Sequence, residues 1–148
     1  MIVPLTPDKR ALYLELMEEF YHSPAVLHPV DPSYFARAAD EILLRDTYLM
    51  GFLLEDEGQP AGYAMLSRSF SPEAGGICLW VEEVYLREAF RSKGLGQEFF
   101  AYLEERFAGE VCRFRLEVEP SNRRAQALYE RLGFEVLPYT QMVRELPK

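Results

Sequence analysis

Ile77 to Leu86 reads as one long strand, and Gly94 and Gly96 follow within ten residues at the start of a helical pattern. That helix, Lys93 to Phe107, puts Leu95, Phe99, Tyr102, Leu103 and Phe107 on one side. A strand that turns into a helix in this way exposes unpaired backbone N–H groups at the positive end of the helix dipole. Glycines there let a phosphate approach those donors with no Cβ in the way. The segment therefore predicts a pyrophosphate site, with Arg91 and Lys93 adding positive charge to a chain whose net charge is −8. Two common pyrophosphate patterns fail on the residues. A dinucleotide loop requires a third glycine where Phe99 stands, and a P-loop requires lysine then serine or threonine where Gln97-Glu98 stand. On its own, a two-glycine loop also fits an ordinary turn.

The elements around this segment set the fold class. Residues 1–5 read as a first strand, and Thr6-Pro7 as a helix start. Tyr13, Leu16, Met17 and Phe20 then recur at helical spacing. Tyr21 to Val30, with two prolines and two histidines, reads as a loop, and Asp31-Pro32 opens a second helix with Phe35, Ala38, Ala39 and Ile42 on its apolar face. Thr47 to Leu54 and Ala61 to Leu66 form a hairpin around the polar turn Glu55 to Gln59, and Ser69 to Gly76 is a loop. Val111 to Val118 alternates with Cys112, Phe114, Leu116 and Val118 on one face. Ser121 is the expected cap of a last helix that Gly133 ends, and Phe134 to Val136 and Tyr139 to Leu146 are expected closing strands. The result is an α+β fold, a sheet covered by about four helices, in one domain over residues 1–148.

Composition narrows the function. Nearly half the residues are apolar and 14% aromatic, which excludes a disordered chain. No run of about 20 apolar residues is present to span a membrane, and the N-terminus lacks the pattern of a secretion signal. Cys78 and Cys112 have no metal-ligand or redox spacing, so they are expected to be reduced, core-packed residues of a cytoplasmic protein with no metal. The negative charge argues against nucleic acid and membrane partners and leans towards a cationic small molecule.

Two blocks carry a resemblance. Arg91-x-x-Gly94-x-Gly96 follows the hydrophobic-acidic strand Val81 to Leu86, and Leu116 to Asn122 is followed by Ala125, Leu128-Tyr129 and Gly133-Phe134. In this order and spacing, over roughly residues 77–136, the sequence resembles the GCN5-related N-acetyltransferase family. Glu88 and Ala89 stand where proline is frequent in that family, and Ser92 where glycine or a basic residue is common. Neither departure removes a side chain that the chemistry needs. The resemblance implies an acyl-CoA N-acyltransferase fold, with a mostly antiparallel twisted sheet in which two parallel strands splay apart. It implies acetyl-CoA as cosubstrate. Backbone groups of Val84, Tyr85 and Leu86 would pair with the pantetheine arm, and the N–H groups from Ser92 through Lys93, Gly94 and Leu95 to Gly96 would hold the pyrophosphate, with Arg91 nearby. Asn122 would contact the arm from across the cleft. A homodimer through the closing strands follows by analogy only.

The reaction this implies is transfer of acetyl from the thioester to a primary amine on a small molecule, with the chain's negative charge leaning towards a cationic one. A protein N-terminus or lysine side chain is the alternative acceptor, and a non-catalytic acyl-CoA sensor the alternative class. A lysine-like amine has a pKa near 10.4, so freeing its lone pair at pH 7 costs about 4–5 kcal/mol, and a carboxylate can take the proton. Glu82 is the first choice for that base, through water, by resemblance to relatives with Glu-Asp here. Glu83 is assigned to holding a cationic amine. Neighbouring strand residues point to opposite faces, so the two should not share a job unless a bulge exchanges them. Either glutamate also fits a solvated strand residue. Tyr129 is the candidate proton donor to the leaving thiolate, against the plainer reading of a buried structural tyrosine. A backbone N–H near Leu86 would face the thioester oxygen. His22 and His28 are expected at the surface or lining the acceptor pocket, and Trp80, Tyr21 and Tyr34 either line that pocket or belong to the core.

Overall fold

The computed structural model describes residues 1–148. Five strands form one sheet in the order β1-β2-β3-β4-β5: β1 is Ile2–Pro4, β2 Leu49–Asp56, β3 Gln59–Ser71, β4 Gly76–Leu86 and β5 Arg113–Leu116. The first four pair antiparallel, and β5 lies parallel to β4. Four helices cover the sheet: α1 over Arg10–Tyr21, α2 over Ser33–Leu44, α3 over Leu95–Arg106 and α4 over Arg123–Arg131. The architecture is therefore α+β, as the order of elements predicts.

Each face of the sheet has its own core. On one, Tyr13, Leu16 and Met17 of α1 and Phe35 and Ala39 of α2 pack on Leu53, Tyr63 and Met65. On the other, Phe99, Phe100, Leu103 and Phe107 pack on Leu66, Leu79 and Val81. Burying such a side chain is worth about 1.5–3 kcal/mol, so four of them hold α3 rigidly with its glycine-bearing start at the end of β4. At the other face Arg87, just past β4, grips α1. Its guanidinium donates to Glu19 at 2.7 Å and to Glu15 at 2.6 Å. Tyr13 adds a hydrogen bond to the Ala64 carbonyl at 2.9 Å. These ties fix where α1 ends, and hence where Tyr21 points.

Two irregularities make a gap in the sheet. Across β3 and β4, Met65 pairs with Glu83 but Leu66 pairs with Val81, so Glu82 is an extra, bulged residue. Pairing between β4 and β5 runs only from Cys78–Arg113 to Val81–Leu116. Beyond that point Glu82–Leu86 has β3 on one side and no strand on the other.

Several expectations are corrected. Residues 134–148 contain no strand, and Val136, Met142, Val143 and Leu146 are exposed; an apolar run becomes a strand only with a partner edge, and none is paired to it. The last helix is capped by Asn122, whose Oδ1 accepts from Ala125 N–H at 3.1 Å, and not by Ser121. Cys78 is buried, whereas Cys112 is exposed because it falls just before β5 and turns towards the Ile77 carbonyl. The strand expected over Val111 to Val118 is four residues long, and the helix expected from Lys93 starts at Leu95.

Candidate active site

The bulge decides where the two glutamates point. Val81 and Val84 both face the α3 side, so the intervening pair is turned towards α1 and α2. Tyr63 is on that second face, and its hydroxyl donates to Glu83 Oε2 at 2.6 Å. Tyr21 donates to the other oxygen of the same carboxylate. Glu82 accepts from Ser67, which sits two residues beyond Met65 on β3 and so on the same face. The two carboxylates thus lie on one face, contrary to regular strand alternation. They differ in environment. Glu82 is exposed, whereas burial, the largest influence, pushes the Glu83 pKa up, and the negative charge of Glu82 adds to it. The two phenol donors pull the other way and lose. Tyr21 and Tyr63 are themselves pushed above the usual phenol range by burial and by Glu83, so both remain protonated donors.

Beside Tyr21 lies a cavity of about 270 Å³ between α1 and α2. His22 and His28 line it with Val26, Leu27 and Val30, which agrees with a pocket-lining role for both histidines. Tyr21 stacks on Phe35 at 4.6 Å and so forms the wall between cavity and Glu83. Trp80 and Tyr34 are elsewhere. Arg115 lies over the Trp80 ring at 4.2 Å, and Lys148 over Tyr34 at 3.9 Å.

Tyr129 is on the opposite side of the sheet. It is half-buried against Phe100 and Phe134, each 5.8 Å from it in edge-on contact, and burial alone raises its pKa. Glu83 and Tyr129 therefore lie on opposite faces of the sheet.

The glycine loop lies at the end of this gap. The first backbone bond of α3 runs from Glu98 N–H to Gly94 O at 2.9 Å, which leaves the amides of Leu95, Gly96 and Gln97 free of helical partners. Ser92 and Gly94 both have positive φ, 63° and 84°, and so fold the loop back over the helix start. A Cβ at Gly94 would meet nothing within 4 Å, so the approach to these amides is open and fits a phosphate. Arg91 Nε donates to the Leu86 carbonyl at 2.9 Å, tying the loop to β4, and Lys93 pairs with Asp56 at 3.2 Å. Arg123-Arg124 is one of two basic clusters in the sequence, though nothing in the sequence ties it to the loop. The Arg124 guanidinium donates to Ser92 Oγ, which brings a third cation to the loop. Tyr63 and Ser67 carry no sequence signal at all, since only strand pairing brings them to Glu83 and Glu82.

Residues 10–134 match the model of the acetyltransferase (GNAT) family. The chain belongs to that family and is an N-acetyltransferase. No curated protein matches it in sequence. Among solved structures, a "possible acetyltransferase" from Clostridium difficile 630 superposes with a TM-score of 0.84 at 19% identity, covering 100% of this chain and 98% of that one. AAC(6')-Iy in complex with a CoA-containing bisubstrate analogue gives 0.81 at 18% identity over 99% and 98% of the two chains. The ribosomal-protein-alanine N-acetyltransferase of Brucella melitensis biovar Abortus 2308 gives 0.78 at 16% identity over 98% of each. These likenesses establish the fold. No helix is long and apolar enough to cross a membrane.

Proposed function

We propose that residues 1–148 act as a single acetyltransferase domain that moves acetyl directly from acetyl-CoA to a primary amine on a small molecule. The observation that carries this reading is the stretch Glu82–Leu86 of β4, unpaired on its β5 side, which ends at the open amides of the glycine loop and bears the buried Glu83 carboxylate. Bound acetyl-CoA supplies the acetyl group and the leaving thiol. The amides of Leu95 and Gly96, with Ser92, Lys93, Gly94 and Arg91, hold its pyrophosphate at the positive helix end. The unpaired edge of Val84, Tyr85 and Leu86 receives the pantetheine arm as an added strand would. Asn122 spends its Oδ1 on the cap and offers its amide N–H to the arm from across the gap. A backbone N–H near Leu86 faces the thioester oxygen.

Of the two glutamates, Glu83 is the better base. Its raised pKa brings its proton affinity closer to that of an amine, and it adjoins the cavity through Tyr21. Glu82, exposed beside it, adds negative charge that attracts the ammonium form. Tyr129 delivers a proton to the departing thiolate. A half-open cavity of about 270 Å³ has the size of a small-molecule site, which supports that acceptor.

The test is acetyl-CoA-dependent thiol release, screened against polyamines, aminoglycosides, amino acids and short peptides. Release with one amine class supports direct transfer. Silence across the panel, in protein that binds acetyl-CoA, supports the sensor reading instead. The open edge of β5 and the unpaired, apolar residues 136–146 support a homodimer, which light scattering of the purified chain tests directly. Two unpaired thiols fit a cytoplasmic setting.

A further inference from the structure

The distribution of charge around the cavity between α1 and α2 narrows the acceptor, given the transfer reading above. Nine residues line that cavity and none is acidic. Five of the nine are Val26, Leu27, Val30, Phe35 and Tyr21, and two prolines and two histidines make up the rest of the wall. His22 is turned back through Nδ1 to the Glu18 carbonyl at 2.8 Å. Asp31, between the lining residues Val30 and Pro32, accepts from the Ser33 N–H at 2.9 Å, and Glu83 stands behind the Tyr21 ring as its hydrogen-bond partner. An acceptor whose amine reaches past Tyr21 to Glu83 has that one ammonium matched and the rest of its body against a largely apolar lining. A second ammonium placed among those walls would lose its water without a partner, which is costly.

We infer that the acceptor is a primary monoamine carried on a compact apolar or aromatic body, and not a polycation. At about 270 Å³ the cavity lies at the small end for ligand pockets, so the body is the size of a phenyl or a branched alkyl group. Tyr21 is the positioning residue. Its ring, stacked on Phe35, is the surface on which a planar body lies, while its hydroxyl holds the Glu83 carboxylate in place behind it.

The test is calorimetric titration of the CoA-bound protein with propylamine to hexylamine, 2-phenylethylamine, leucinamide, the peptide Leu-Ala-Ala and spermidine. Affinity is expected to rise about fourfold per added methylene until the cavity is full, as burial of a CH₂ requires. Spermidine is expected to bind at least about tenfold more weakly than hexylamine, since its extra charges go unpaired. Leucinamide against Leu-Ala-Ala distinguishes a free amine from a peptide N-terminus as its source. Leu27→Asp adds an acid at a residue 69% exposed, where folding is spared and a thermal melt confirms it. It should weaken hexylamine and strengthen spermidine. Affinity that is flat with chain length, or highest for spermidine, overturns the inference. Thiol release followed alongside separates the two readings. Tight monoamine binding with no release breaks the transfer reading and leaves the acceptor class standing. Release with spermidine or an aminoglycoside but not with hexylamine does the reverse.

Discussion

Glu83→Gln, compared with Glu82→Gln, tests which carboxylate takes the amine's proton. At pH 7 a lysine-like amine is neutral in only about 1 part in 2,500, given a pKa near 10.4. An enzyme without its base must wait for that fraction. Glu83→Gln should therefore lower kcat/KM at pH 7 by about 10³-fold, inside the range of about 10²–10⁴ for general-base loss. The deficit should shrink about tenfold for each pH unit between 7 and 10, because the free amine then supplies what the carboxylate did. Wild-type activity should fall as pH drops through the raised pKa of Glu83, at a pH above the ordinary carboxylate range. Stability moves oppositely. Because the folded pKa lies above the unfolded one, the native state binds the extra proton, and ionisation of Glu83 costs stability as pH rises from about 4.5 through the folded pKa. Glu83→Gln should then melt higher than wild type at neutral pH, with the gain vanishing below about pH 4.5. Glu82 is exposed and its side-chain hydrogen bond is from Ser67, so Glu82→Gln should cost less than about tenfold at any pH. The assay is initial-rate thiol release from pH 5 to 10 for the three proteins. An equal deficit for Glu83→Gln at pH 7 and pH 10, or a larger one for Glu82→Gln, refutes the assignment.

Tyr129→Phe removes a hydroxyl that makes no hydrogen bond within the protein, so the melt should not move; single-turnover assays should show acetyl transfer slowed by about 10²-fold or more, with the acetyl-CoA dissociation constant unchanged. Arg124→Ala removes the cation docked on Ser92 and should raise the KM for acetyl-CoA by about tenfold at constant kcat, the scale of one charge-assisted hydrogen bond. Gly96→Ala meets only Leu128 Cδ2 at 3.4 Å, so the protein should fold, yet its new methyl crowds the phosphate approach; titration with CoA should show weaker binding by at least tenfold (about 1.4 kcal/mol).

What was legible in the sequence follows from how local the cause is. Gly76–Leu86 and Leu95–Arg106 match the expected strand and helix closely, because turn residues bound each and their periodicity is strong. The buried faces of α1 and α2 were legible for the same reason. Residues 134–146 read as strands on composition alone, yet a strand is made by its neighbour, and composition says nothing about the neighbour. The candidate base shows the limit most clearly. Val81 to Leu86 alternates regularly on paper, and only pairing with Met65 and Leu66 reveals that Glu82 is the extra residue. Tyr21 and Tyr63 are far apart in sequence and meet only because α1 is pinned across β3.

One residue links the cofactor gap to the chemistry, and deleting it separates the two. The Glu82 bulge bends β4 where its pairing with β5 stops, and it also seats Glu82 on the same face as Glu83. Without Glu82 the order Val81, Glu83, Val84, Tyr85 alternates cleanly, so Val81 and Val84 would keep the α3 face while Glu83 and Tyr85 keep the α1 face. Both cores survive on that register, and the protein should fold. The bend that frees the edge of Val84–Leu86 would be gone, and β5 would be free to pair further along β4. Deletion of Glu82 should therefore abolish acetyl-CoA binding in a calorimeter, whereas Glu82→Gln, which keeps the bulge, should bind as wild type does. Equal binding by the deletion variant would mean that the gap is held open by the helices at its two sides, and that the bulge serves only to seat Glu82 on the same face as Glu83.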